Sequence, residues 1–216
     1  MNILSIDTAT LPHSIALLKG EQIFSNTLND ATQSELLFFE INLLLEKASI
    51  DYQDLNKILC TVGPGSFTGI RIGIAAIRGM KKALPHLQII GFSTLEMIAF
   101  LKNKNTTNTE DFHVVINAFG NEVYAQEFNA TTSPLSKILV LPKNLFLDQQ
   151  NHIIVSNDPQ IIGFLDHTKL EVELIQYDAT TILEYHNTFQ DKHLAVKPLY
   201  IKNPNIHHGA LRNQHR

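Results

Sequence analysis

A single cysteine and no tryptophan stand among the 216 residues. One thiol cannot form a disulfide within the chain, which fits a reducing compartment. Cys60 sits in the apolar run Ile58–Val62, where a buried thiol is the simplest reading. The missing tryptophan excludes nothing. No apolar stretch approaches the length of a membrane span, and MNILSIDTAT lacks the basic region and long apolar core of a signal peptide, so a cytoplasmic protein without membrane contact is expected. Positive charge is not in excess. The formal net charge of −4 gives no bulk attraction to nucleic acid, although a local patch remains open. Catalytic and metal signatures are missing too: there is no HExxH, CxxC, GxSxG or HxxxH, and neither GxxxxGK[ST] nor GxGxxG.

With 44% hydrophobic residues, the chain can bury a real core, as one domain or as two modest lobes. Its organising stretch is Cys60 to Leu84, CTVGPGSFTGIRIGIAAIRGMKKAL. An apolar lead-in, a turn at Gly63-Pro64-Gly65, cap candidates Ser66 and Thr68, and isoleucines at helical spacing predict strand, tight turn, helix. Gly63, Gly65 and Gly69 either build only a turn or face a ligand, since amides at a helix start hold anions. Along the helix, Gly69, Gly73 and Ala76 share one face, expected to receive another helix from this chain or a partner. Arg71, Arg78 and Lys82 share another.

Before this stretch, three closely spaced strands (Asn2 to Asp7, His13 to Leu18, Gln22 to Leu28) predict an antiparallel meander. Asp7 ends the first, with Thr8 just beyond. Such an acid orients Mg²⁺-bound phosphate or, in the plainer reading, caps local amides. Gln33 to Lys47 predicts a helix apolar around most of its circumference. Leu36, Phe39 and Leu43 point one way, Leu37, Ile41 and Leu44 another, and Phe38 and Leu45 a third. Such a helix is central to the core, or presents a partner surface, or both.

After the glycine helix, a strand at Leu87 to Ile90 and a helix from Ser93 or Thr94 through Leu101 complete a β-β-β-α-β-α-β-α order. This fits an α/β fold of mixed sheets flanked by helices, of the actin and hexokinase type, better than a doubly wound dinucleotide fold. The polar Lys102 to Asp111 predicts a lobe boundary, giving lobes 1–105 and 106–216. Beyond it, strands are expected at Phe112 to Asn117, Glu122 to Phe128, Lys137 to Leu141, His152 to Ser156 and Val172 to Ile175. Helices are expected at Pro159 to Phe164 and at Ala179 to Phe189, the latter capped by Asp178. Glu96 reads as a cap or solvated carboxylate. The tail with His207, His208 and His215 reads as incidental rather than metal-binding.

IDTAT (Ile6 to Thr10), GPGSFTGIRIGIAAIRGMKKA (Gly63 to Ala83), NEVYAQEF (Asn121 to Phe128) and PLYIKNP (Pro198 to Pro204) together resemble the bacterial TsaB/YeaZ family. The likeness runs over nearly the full length. It implies an actin-like (ASKHA) fold of two lobes related to the ATP-dependent paralogue TsaD, and a non-catalytic role beside TsaD and the ATPase TsaE. That assembly makes N6-threonylcarbamoyladenosine on tRNA, at the adenosine beside the anticodon of ANN-decoding tRNAs. ATP and Mg²⁺ then belong to the complex, and no cofactor is implied for this chain. By resemblance the TsaD contact comes from Gln33 to Lys47 and Thr68 to Ala83, through Leu36, Leu37, Phe39, Glu40, Leu43, Gly69, Arg71, Gly73 and Ala76, with homodimerisation the substitute when TsaD is absent. Asp7, Thr8, Gly63, Gly65 and Ser66 are the candidates for the alternative, an actin-like nucleotide-binding hydrolase. Two departures argue against nucleotide: Ala31-Thr32-Gln33 stand where the family often has a histidine, and Asn117-Ala118-Phe119 where it often has DAR.

Overall fold

The structure, a computed structural model, describes residues 1–28, 33–105, 110–118, 120–144, 153–165 and 172–201. Its first sheet contains β1 (Asn2–Asp7), β2 (His13–Lys19), β3 (Gln22–Leu28), β4 (Lys57–Thr61) and β5 (Gln88–Phe92) in the order β3-β2-β1-β4-β5. The meander is antiparallel, while β4 and β5 join parallel to β1 after the crossovers α1 (Gln33–Lys47) and α2 (Phe67–Ala83). The second sheet repeats the plan. β6 (Phe112–Asn117), β7 (Glu122–Phe128), β8 (Leu139–Pro142), β9 (Ile153–Ser156) and β10 (Val172–Leu174) take the order β10-β9-β6-β7-β8, with β9 and β10 parallel. Two copies of one meander-plus-crossover unit make the actin-like arrangement that the element order predicts.

Strand periodicity sorts the side chains into layers. On β1, β2 and β4, Leu4, Ile6, Ile15, Leu17, Ile58 and Cys60 face one way, into a core closed by Leu37, Ile41 and Leu44 of α1 and Ile70, Ile74 and Ile77 of α2. Ile3, Ala16 and Leu59 face the other way, toward α3 (Thr94–Asn105) and α5 (Ala179–Thr188). Beyond those helices lies the inner face of the second sheet, with Phe112, Val114, Phe128 and Val155. α4 (Pro159–Leu165) covers its outer face. The result is five layers, helix, sheet, helix, sheet, helix, in which the two sheets share the central helices.

Small residues decide how closely α5 approaches. The Ser5 hydroxyl donates to the Ala179 carbonyl at 2.6 Å, and the Ser14 hydroxyl accepts from the Ala179 amide at 2.9 Å. Asp178 caps α5, accepting from the amides of Thr180 and Thr181, as its position before the apolar run predicts.

Several expected boundaries shift. α3 continues to Asn105 instead of stopping at Leu101, because polar composition does not distinguish a solvated linker from a helix end whose lysines find carboxylates: Lys102 pairs with Glu173 and Lys104 with Glu184. Although α3 lies in the stretch read as the first lobe, it packs on β6 and β9, and α5 returns to β1 and β2. The chain then straps back along the first lobe, Leu194 bridging to Gly91 and the Leu199 amide donating to the Val62 carbonyl. The histidine-containing tail, Leu145-Phe146 and Phe119 lie outside the described residues.

Candidate functional site

The glycine stretch and the loop after β1 form one interlocked unit. Ser66 caps α2, its hydroxyl accepting from the Gly69 amide at 3.2 Å, while the Ser66 amide donates to the Ala9 carbonyl at 2.8 Å. Gly65 has φ of 154°, and a Cβ there would stand 2.3 Å from the Ala9 carbonyl oxygen. A Cβ on Gly69 would meet the Thr8 carbonyl oxygen at 1.9 Å, and one on Gly73 the Thr8 hydroxyl at 2.3 Å. These glycines are therefore cut to the shape of the β1–β2 loop, and the Ser66 and Gly69 amides at the helix start are already bound within the chain.

Asp7 sits at the centre of that loop, fully buried. Its carboxylate accepts from the Ala9 amide at 3.0 Å and from the hydroxyls of Thr10 and Thr61. Burial raises its pKa, opposed by the hydrogen bonds from Thr10, Thr61 and Ala9. Burial, and then the charge of Asp7, push the Tyr177 phenol well above its usual value. His13, packed against Gly69, is lowered by burial in spite of the Asp7 charge. Cys60 is buried as expected, its thiol pushed up to about 12 by burial. Glu96 takes the capping role, accepting from the Ser93 amide, with its pKa raised by burial.

Between the loops of the two sheets lies a cleft of about 310 Å³, lined on the side of the first sheet by Ala9, Thr10, Leu11, Gly65 and Ser66 and on the side of the second by Ile116, Asn117 and Asn157 to Gln160. Among the described residues lining it there is no lysine or arginine. The Asp158 carboxylate accepts from the Gln160 amide at 2.9 Å. ATP with Mg²⁺ does not fit this donor set: the acid at the end of β1 is bonded internally, and the described residues lining the cleft offer phosphates no lysine or arginine. Asp7 and Thr8 are thus corrected from ligand candidates to structural residues. Gly63 is also turned inward, with a Cβ there reaching 2.9 Å from Ile70, whereas Gly65 and Ser66 do reach the cleft. Among the described residues no cluster of three or more His, Cys, Asp or Glu is placed to hold a metal ion.

The helices separate the expected partner residues. On α1, Leu37 is 1% exposed and locked in the core, while Leu36 and Phe39 are 39% and 55% exposed with Leu43 half-buried beside them. The three-way apolar pattern thus resolves into a core face and an outward face. Glu40 borders the outward face, accepting from the Asn26 amide nitrogen at 2.5 Å. On α2, Gly69, Gly73 and Ala76 face inward, so the small-residue face holds the chain's own Thr8 loop instead of another helix. Leu37, Gly69, Gly73 and Ala76 are therefore corrected, being buried within this chain.

Arg71 does face outward, and it brings in residues the sequence reading missed. Its guanidinium lies 3.6 Å from the Phe67 ring centroid, and its Nε donates to the Tyr200 hydroxyl at 3.0 Å. Arg78 donates through Nε and Nη2 to the Val196 carbonyl, pinning the same returning segment. Phe67 and Tyr200 are far apart in sequence, so only the spacing of Phe67 and Arg71 at i and i+4 was available to signal the cluster.

Against known proteins, a family model described as TsaD, tRNA N6-adenosine threonylcarbamoyltransferase, matches residues 30–139. The tRNA threonylcarbamoyladenosine biosynthesis protein TsaB of Buchnera aphidicola subsp. Schizaphis graminum is 33% identical over 127 residues, 58% of this chain and 60% of its own length. The protein of the same name from Buchnera aphidicola subsp. Acyrthosiphon pisum is 30% identical over 178 residues, 75% of this chain and 77% of its own. The first three such relatives are matched over 60%, 52% and 44% of their lengths, so the chain spans about half of the curated relatives it matches. Among solved structures, YeaZ from Pseudomonas aeruginosa superposes with a TM-score of 0.74 at 21% identity, covering 93% of this chain and 99% of that one, a likeness of fold.

Proposed function

The chain belongs to the TsaB family of tRNA threonylcarbamoyladenosine biosynthesis proteins, and from that membership we propose that it is a non-catalytic subunit which pairs with and positions a TsaD-like catalytic paralogue. In this reading a TsaE-like ATPase joins the pair, ATP and Mg²⁺ serve the complex, and tRNA is engaged through the assembly. The group transferred is threonylcarbamoyl, to the adenosine beside the anticodon of ANN-decoding tRNAs.

The observation that carries the reading is the outward apolar face of α1, Leu36, Phe39 and Leu43, on a helix whose opposite face is already satisfied by the core. Leu36 and Phe39 are about half exposed, so burying what remains against a partner contributes on the order of 1 kcal/mol per side chain. Arg71, held between Phe67 and Tyr200 on α2, is an outward-facing ordered cation of the kind that anchors interfaces. Catalysis by this chain is disfavoured because Asp7 and the Ser66 and Gly69 amides are committed to internal bonds. The same commitment weighs against a nucleotide hydrolase built on Asp7 and the Gly63 to Gly69 loop.

The test is a light-scattering mass of the chain mixed with the TsaD-like subunit, for wild type and for Phe39→Ala with Leu36→Ala. A mixed complex that the double variant loses while keeping its own melting temperature supports the reading. Unchanged assembly overturns the α1 assignment. Alone, the chain is expected to use the same face for a homodimer.

A further inference from the structure

At the opposite end of the first sheet from the cleft lies a second groove, of about 550 Å³, that nothing in the proposed pairing uses. It is lined by Lys57 at the start of β4, Lys81 near the end of α2, His86 and Gln88 around the start of β5, and His186, Gln190, Asp191 and His193 in and after α5. Two lysines and three histidines thus face one acid in a chain whose formal net charge is −4. With histidine counted as neutral in both, two lysines against one acid give the groove a positive balance that the whole molecule lacks.

The cations are set in place. Lys81 Nζ donates to the carbonyls of Pro85 and Leu87 at 2.6 and 2.7 Å, which fixes its position without neutralising it. Lys57 Nζ lies 3.2 Å from His186 Nε2, so its partner is a neutral imidazole instead of a carboxylate. His186 is only 5% exposed, and its other ring nitrogen has no hydrogen-bond partner among the described residues. Burial, then the charges of Lys57 and His193, lower its proton affinity, so it stays neutral and leaves the ammonium charge undivided. Among the described residues, the ion pairs formed by lysines involve Lys102 and Lys104, not Lys57 or Lys81.

The sheet edge adds a backbone donor. β5 is the edge strand, and Gly91 turns its amide and carbonyl outward to Leu194. Ile89, two residues earlier, turns its amide the same way, into the groove. Fixed lysines, titratable imidazoles, glutamine amides and an outward backbone N–H form a donor set with the chemistry of a phosphate site.

We propose that this groove is a phosphate-binding site that takes a backbone phosphate of an RNA strand. Its place at the sheet edge suits a strand passing over it, with Lys57 and Lys81 as fixed contacts and His86 and His193 beside them. The choice of tRNA as the RNA rests on the function proposed above.

The experiment titrates an unmodified tRNA transcript with the full chain between 50 and 200 mM salt, for wild type, Lys57→Gln and Lys57→Arg. In parallel, inorganic phosphate is added to the chain while the histidine ring resonances are followed by NMR. Losing one phosphate contact lowers the slope of log affinity against log salt by about one, and Lys57→Arg restores it. Movement of the His86 and His193 resonances with phosphate accompanies that result. Phosphate-induced shifts with tRNA binding indifferent to Lys57→Gln reject the RNA source and assign the groove to a free phosphate. An unchanged salt slope together with unmoved resonances overturns the site. None of these readouts involves the catalytic paralogue, so failure here is distinguishable from failure of the pairing reading.

Discussion

Two glycines of α2, six residues apart, are expected to respond unequally to alanine. At Gly79 nothing lies within 4 Å of an added Cβ, so the substitution recovers helix propensity alone, about 1 kcal/mol of stabilisation. At Gly73 the same methyl meets the Thr8 hydroxyl at 2.3 Å and Thr8 carbons at 3.4 and 3.5 Å. Overpacking there costs about 1–3 kcal/mol, which offsets or outweighs the propensity gain. The two variants should therefore differ by roughly 1–3 kcal/mol, or several degrees in melting temperature for a chain of this size. Thermal and urea unfolding measure the difference, and a cycle with Thr8→Ala isolates its cause: without the hydroxyl, the nearest remaining contact at position 73 is 3.4 Å and the penalty should vanish. Equal shifts for Gly73→Ala and Gly79→Ala, or a penalty that survives in the Thr8→Ala background, would refute the claim that the small-residue face holds the Thr8 loop.

The remaining predictions concern Asp7, Cys60 and Arg71. The folded-state pKa of Asp7 is raised, so its contribution to stability is present below the ordinary carboxylate pKa and is lost as pH rises through the folded value. Asp7→Asn should accordingly gain on wild type as pH rises above the ordinary carboxylate pKa; parallel stability profiles would contradict this. Asp7→Ala strips the acceptor from the Ala9 amide and the Thr10 and Thr61 hydroxyls, and should destabilise by about 2–4 kcal/mol at neutral pH in urea unfolding. Cys60 should resist alkylation in the native chain at pH 8 and react only on unfolding, as followed by mass spectrometry. Arg71→Ala should release Tyr200 and weaken paralogue binding by about tenfold with the melting temperature nearly unchanged, read by titration calorimetry.

The elements were legible because their signals are local. Ser66 and Asp178 stand before apolar-periodic runs and cap α2 and α5, and the alternation along β1 to β3 gives the meander its register. Which apolar face of α1 is buried was not legible, since Leu36/Phe39/Leu43 and Leu37/Ile41/Leu44 are equivalent until the sheet beneath is placed. The glycine face was read correctly as a close-approach surface and wrongly as one for another helix. Sequence spacing tells that Cβ atoms are missing, but the Thr8 loop that fills the space comes from some sixty residues away. The basic groove escaped for the same reason: Lys57, Lys81, His86 and His193 are scattered along the chain and meet only where α5 returns to the first sheet.

The central claim is that this chain contributes an apolar surface, and no reacting group, to threonylcarbamoyl transfer. Its most direct test is transfer to an ANN-decoding tRNA by the TsaD-like and TsaE-like subunits, supplied with threonylcarbamoyl adenylate and ATP, with wild type, with Asp7→Asn, with the Leu36→Ala/Phe39→Ala variant, and without the chain. The account predicts product only when a mixed complex forms, undiminished by Asp7→Asn and lost with the α1 variant. Transfer that proceeds equally without the chain, or that Asp7→Asn abolishes in an intact complex, would contradict it.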